Sequence, residues 1–77
     1  MLIGIPKEIM KKENRVAALP ETVEKFKKLG FDIIVETKAG LGAFTDDDAY
    51  RKAGAEIAMD AKEVFDKSDV ILILNYN

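Results

Sequence analysis

Seventy-seven residues, 48% of them hydrophobic and 34% charged, describe a globular chain, too apolar for a disordered tail and too charged for a membrane segment. The lack of cysteine and histidine excludes disulfides, thiolate metal sites and any self-contained Ser-His-Asp or Cys-His hydrolase, leaving carboxylates, lysines, arginines, tyrosines and the one serine, Ser68, for chemistry. A net charge of −2, with lysines and glutamates interspersed, argues against nucleic acid as a partner, and a chain of this size buries only about 60% of its unfolded surface, which makes a protein partner valuable.

Leu2-Ile3-Gly4-Ile5 reads as a first strand, closed by Pro6, which has no amide to donate. Residues 7–19 lose any clean period and form a long polar connection holding Lys7, Glu8 and Arg15. A first helix follows from Pro20 to Leu29, with Glu21 and Glu24 near its positive end and Lys25, Lys27 and Lys28 near its negative end. Val23, Phe26 and Leu29 are its apolar stripe, and Gly30 stops it. Phe31 to Glu36, centred on Ile33-Ile34-Val35, reads as a buried second strand.

Ala39 to Ala43 is a glycine-rich turn, and Thr45 with Asp48 resembles a capping box ahead of a second helix, Asp46–Ala53, which ends at Gly54. Ala55–Ala58 forms a brief extended piece. Asp60 caps a third helix, Ala61–Lys67, with Val64 and Phe65 turned inward. After Ser68 and Asp69, Val70 to Leu74 is continuously apolar, the mark of a parallel strand covered on both faces. Strands alternating with helices imply an α/β fold: a small open parallel sheet of three main strands in the order 2-1-3 with flanking helices, part of a larger doubly wound, flavodoxin- or Rossmann-like domain. The whole chain, 1–77, reads as one partial domain.

Two glycines in Gly40-Leu41-Gly42 follow a strand and precede a helix, as in a dinucleotide fingerprint, but the third glycine is missing. Asp46, Asp47 and Asp48 also place negative charge where a pyrophosphate would sit. A structural turn is expected, and the aspartates lack the alternating ligand spacing of a calcium loop, so helix capping accounts for them and neither cofactor nor metal residues are assigned. Arg15 leaves the carboxyl end of the first strand, where ligands collect in open α/β sheets, and its planar guanidinium suits a carboxylate or phosphate. Asn75, Tyr76 and Asn77 lie past the last strand at the same edge.

Ile3-Gly4-Ile5-Pro6-Lys7-Glu8, Glu13-Asn14-Arg15-Val16-Ala17, Pro20, Val23 and Leu29-Gly30-Phe31 together resemble the N-terminal domain of alanine dehydrogenases and transhydrogenase alpha subunits. Glu36, Ala39-Gly40, Phe44, Asp47 and Ala53-Gly54-Ala55-Glu56-Ile57 extend the resemblance in order and spacing, from Met1 to about Leu74. It implies a two-domain enzyme whose Rossmann NAD-binding domain comes much later in the chain. It also implies that the arginine matching Arg15 holds a substrate carboxylate, together with a lysine at the position of Asn75. The asparagine looks more like the transhydrogenase subunit, and Leu72 to Asn77 departs from the family's usual Leu-Lys-Val and following proline.

The expected function is therefore that of an N-terminal fragment of an NAD(P) transhydrogenase alpha-type oxidoreductase. Such a chain would be inactive alone, would carry no catalytic residue and would bind no cofactor by itself, with NAD(P) implied for the complete enzyme. The alternatives are an alanine dehydrogenase fragment and a non-catalytic self-associating module. Arg15 and Asn75 are the expected substrate-binding residues. The expected partner is the remainder of the enzyme or a second copy joined by strand-edge pairing into a homodimer. No basic leader precedes Leu2, and the longest apolar run is far below the roughly 20 residues a spanning helix needs, so the expected location is cytoplasmic, or peripheral to a membrane complex in a full assembly.

Overall fold

The computed structural model describes residues 1–7, 19–39 and 46–72. Four strands, β1 (Leu2–Ile5), β2 (Asp32–Glu36), β3 (Glu56–Ala58) and β4 (Val70–Ile71), form one parallel sheet in the order β3-β2-β1-β4. Three helices, α1 (Pro20–Lys28), α2 (Asp47–Ala53) and α3 (Ala61–Lys67), fall between them in the chain. The expected order of the three main strands holds within this sheet: Ile3 of β1 lies opposite Ile33 of β2 on one side and Val70 of β4 on the other. The additional strand is the short segment read as a brief extended piece, which pairs with β2, Val35 opposite Ile57. Three residues with an exposed glutamate at their head carry too little pattern to be ranked with the longer strands.

Each helix begins and ends for a local reason. Pro20 at the first turn of α1 supplies a preset φ, and Glu21 and the terminal lysines complement the helix dipole. Gly30, at φ +95, then turns the chain back toward β2 in a conformation that side chains disfavour. In α2 the cap is Asp46, which accepts the Ala49 amide at 2.9 Å. The expected box of Thr45 and Asp48 is therefore replaced: Asp48 instead bonds Arg51 at 2.7 Å, and Thr45 lies outside the described residues. The shift is physically small, since a carboxylate one residue later serves the same orphan amides. Asp60 caps α3 by accepting the Glu63 amide at 2.8 Å, while the Glu63 carboxylate reaches back to the Met59 amide at 2.8 Å.

Alternation along the strands assigns the two faces. Ile3, Ile5, Ile33 and Val35 join Val23, Ala39, Tyr50 and Ala53 under α1 and α2. Ile34 and Ala58 meet Val64 of α3 on the other face, with Leu2 and Ile71 beside them. Leu29, expected on the stripe of α1, is 72% exposed. Six residues carry it about 240° around the helix from Val23, so threefold spacing drifts off a 3.6-residue period. Phe65, expected inward, is 56% exposed because the seven residues of α3 turn only Val64 fully onto the sheet.

Cover on both faces was expected for the last strand, and its described part departs from that. Val70 is 44% exposed, whereas Ile71 packs beneath α3 and Leu72 against the opposite cluster. β4 is an outer strand among the described residues, and α1 and α2 gather over the other strands. It is nonetheless pinned firmly: Asp69 accepts the Leu2 amide through its carboxylate and donates its own amide to the Leu2 carbonyl, both at 2.8 Å, and Leu72 donates to the Gly4 carbonyl at 2.8 Å.

Candidate functional site

The chain builds outward from β1 through β2 to β3, then returns across the sheet to place β4 on the other side of β1. The strand order therefore reverses between β1 and β4, and the crevice outside the carboxyl ends of two such strands is where open α/β sheets bind ligands. Pro6 and Lys7 leave β1 at that edge, and Leu72 leaves β4 beside them. Arg15 and Asn75, the expected substrate-binding residues, lie outside the described residues, as do Glu8, Tyr76 and the Gly40-Leu41-Gly42 turn. What the fold brings together is the roots of the two connections to which Arg15 and Asn75 belong.

Two carboxylates, one at the end of β2 and one at the start of α2, organise this edge, and sequence reasoning assigned neither to it. In the dinucleotide-binding form of this strand order, an acidic residue following the second strand takes the ribose hydroxyls. Glu36 stands at the end of β2, and its carboxylate accepts the Lys7 amide at 2.8 Å, tying the exit of β1 to its neighbour. The signal was present in the sequence, since Pro6 offers no amide and Lys7 is the first donor past β1, but its partner is 29 residues away.

The second group is Asp47. Its carboxylate accepts the Thr37 hydroxyl at 2.5 Å and the Lys38 amide at 2.8 Å, holding the turn that follows β2. Lys38 sits at φ +66, a left-handed conformation that costs a lysine about 1–2 kcal/mol, and the Asp47 bond helps to hold it there. Partial burial works against the Asp47 charge, but the Thr37 and Lys38 hydrogen bonds and the nearby Arg51 and Lys38 cations outweigh it and keep the carboxyl below its ordinary range. Tyr50, buried beneath this turn, is pushed up to about 12 by burial and by the Asp47 charge, so its phenol keeps its proton at neutral pH. Helix capping was expected of all three aspartates, and of these Asp46 caps α2, whereas Asp47 holds the turn after β2 and Asp48 pairs with Arg51.

A hollow of about 310 Å³ beside Lys38, Asp46, Asp47 and Asp48 lies at this carboxyl side. A larger one, about 380 Å³, is lined by Leu2, Lys27, Asp32, Ile33, Gly54 and Glu56. Leu2, Asp32 and Glu56 are the first residues of their strands, so the larger hollow opens at the amino edge, away from the crevice. Its Lys27 is already paired with Asp32 at 3.2 Å.

The model of the alanine dehydrogenase/PNT N-terminal domain matches residues 4–76. The chain belongs to that family. It is 51% identical over 72 residues to an alanine dehydrogenase of Methanococcus maripaludis, covering 94% of this chain and 19% of that protein. It is 49% identical over 75 residues to the NAD(P) transhydrogenase subunit alpha of Haemophilus influenzae, covering 97% of this chain and 14% of that subunit. Among solved structures, an L-alanine dehydrogenase superposes on 95% of the chain with a TM-score of 0.90 at 36% identity, covering 20% of that structure. The transhydrogenase from Sinorhizobium meliloti superposes on 92% with a TM-score of 0.80 at 45% identity, covering 21%. The chain thus spans about a fifth or less of the length of these relatives. No helix among the described residues is long and apolar enough to cross a membrane.

Proposed function

We propose that this chain supplies the N-terminal segment of an NAD(P)-linked oxidoreductase of the alanine dehydrogenase/transhydrogenase family, as one partial domain that is inactive until joined by the remainder of such an enzyme. Transhydrogenase-type hydride transfer between NAD(H) and NADP(H) is favoured over alanine oxidation by Asn75, which stands where the resemblance calls for a lysine in alanine dehydrogenases. The observation that carries the reading is the reversal of strand order between β1 and β4, which roots the connections of Arg15 and Asn75 at one ligand edge. Arg15, in the connection that follows β1 in the sequence, is a group suited to a small anion through the two parallel donors of its guanidinium.

Two measurements on the whole chain test this. Mixed with the remainder of a related enzyme, it restores hydride transfer between NADH and an oxidised nucleotide analogue; alanine-dependent reduction of NAD instead would assign it to the dehydrogenases, and neither activity would defeat the proposal. Calorimetric titration with pyruvate tests Arg15 as a carboxylate holder: binding heat that vanishes in Arg15→Ala would favour the alanine dehydrogenase alternative, and no heat from the unaltered chain would remove that role.

A second reading, self-association, draws on the outer position of β4, with Val70 exposed on one face and Phe65 of α3 exposed on the other side of the sheet. Sedimentation equilibrium over a concentration series separates the two: a homodimer supports edge pairing, and a folded monomer excludes it.

A further inference from the structure

We infer that the flank of α3 carrying Phe65, with the partly buried Ile71 and Leu2 on the same face of the sheet, is the docking surface for an amphipathic crossover helix supplied by the remainder of the enzyme; this rests on the reading that such a remainder completes the domain. The two outer strands differ. β3 opens with the exposed Glu56, 4.0 Å from Lys67, and a short strand carrying charge resists further pairing. β4 begins the continuous apolar run from Val70 to Leu74, whose composition calls for cover on both faces. The helix above has a matching asymmetry. Val64 meets Ile34 and Ala58 on the sheet, and Glu63 and Phe65 stand about 100° to either side of it. Glu63 pairs with Lys67 at 2.9 Å on the flank toward β3, where Lys67 also reaches Glu56. Phe65 therefore occupies the flank toward β4, 56% exposed.

The direction of the chain decides what covers it. The connections from β1 to β2 and from β2 to β3 run one way across the sheet with α1 and α2 on one face, and the connection from β3 to β4 runs back with α3 on the other, as right-handed crossovers require. A further parallel strand on the free edge of β4 would continue that last direction. Its crossover helix then lies on the face of α3, where an apolar stripe meets Phe65 and Ile71. The matching family domain is an N-terminal one and the match covers 19% of the alanine dehydrogenase, so most of such a protein lies outside the matched stretch and can supply this helix.

Titration of the remainder of a related enzyme into the labelled whole chain, followed by fluorescence anisotropy, compares the unaltered chain with Phe65→Lys, Val70→Lys and Met59→Lys. A lysine at Phe65 puts a charge into an apolar contact and is expected to weaken binding about tenfold or more. Met59, 78% exposed and placed between β3 and the cap of α3, should accept the same change within about twofold, and Val70, on the other face of the sheet, should lose less than Phe65. A greater loss at Val70 than at Phe65 would put the helix on the opposite face and overturn the inference, as would equal affinities in all four chains. If circular dichroism shows Phe65→Lys unfolded, Phe65→Gln gives the same comparison without the charge. Sedimentation of the unaltered chain alone examines the other occupant: a dimer that Phe65→Lys returns to monomer assigns the surface to a second copy and overturns the inference too. Failure of the underlying reading looks different, since the unaltered chain would then bind no remainder at all, and the inference falls with it.

Discussion

Under α1 and α2 the sheet is filled by bulk: Ile3, Ile5, Ile33 and Val35 rise from the strands, and Val23 and the whole ring of Tyr50 descend to meet them. Beneath α3 the filling is by proximity. Gly4 contributes no side chain there, and a Cβ built on it would lie 2.7 Å from Val64 Cγ1 and 2.8 Å from Ser68 Cβ, so the end of α3 rests against the β1 backbone itself. The Ser68 hydroxyl is buried at this contact with no hydrogen-bond partner among the described residues, a cost the close packing tolerates. One face thus depends on volume being present and the other on volume being absent, and the two should respond oppositely to changes in side-chain size.

The largest expected effect is on the bulky face. Tyr50→Ala removes a fully buried ring and should cost about 3–5 kcal/mol, comparable to the total stability of a domain this small, so circular dichroism should show it largely unfolded without a partner. A cooperative unfolding curve with a midpoint near that of the unaltered chain would mean the face can collapse around the loss. On the opposite face, Gly4→Ala adds a single methyl and should cost about 1–3 kcal/mol, read as a lower urea midpoint. Combining it with Ser68→Gly, which clears the facing side chain, should recover part of that loss; an additive further loss would show that the contact is not what makes glycine necessary.

The smallest effect belongs to the latch at the carboxyl edge, where neither face's volume is at issue. Asp47 has a folded pKa below its ordinary value, so its contribution to stability is present above the ordinary carboxylate pKa of about 4 and is lost as pH falls through the lower folded value. Glu63, held low by the Lys67 ammonium and the Met59 amide, works in the same direction. Asp47→Asn should therefore be less stable by about 1 kcal/mol near pH 7 and should lose less than the unaltered chain between about pH 5 and pH 3. Parallel losses in the two chains would place the acid sensitivity elsewhere.

The sequence was most legible where the signal is local. Leu2–Ile5, the Asp60 cap, the stop at Gly30 and the end of α3 at Ser68 each follow from residues within a turn of one another, and each stands where its neighbours place it. Phe65 and Leu29 were misread because apolar character alone does not say how far around a short helix the sheet extends. At the site, position in the chain singled out Arg15 and Asn75; it showed that the Lys7 amide needs an acceptor but not that Glu36 is that acceptor, and it gave no hint of the Asp47 latch. Their partners are 29 residues away for Glu36 and nine and ten residues away for Asp47, and pairings of that kind leave no periodic trace.

By itself the sequence determined the alternation of strands and helices, the central place of the first strand and the family to which the chain belongs, because hydrophobic period, caps and spaced motifs are all written along one dimension. Only the tertiary structure decided that Ala55–Ala58 completes a four-stranded sheet, that α3 approaches closely enough to require Gly4, and that Glu36 receives the chain leaving β1. Each depends on the distance between segments far apart in the chain, and that distance is set by packing, which side chains from both sides of the contact fix together.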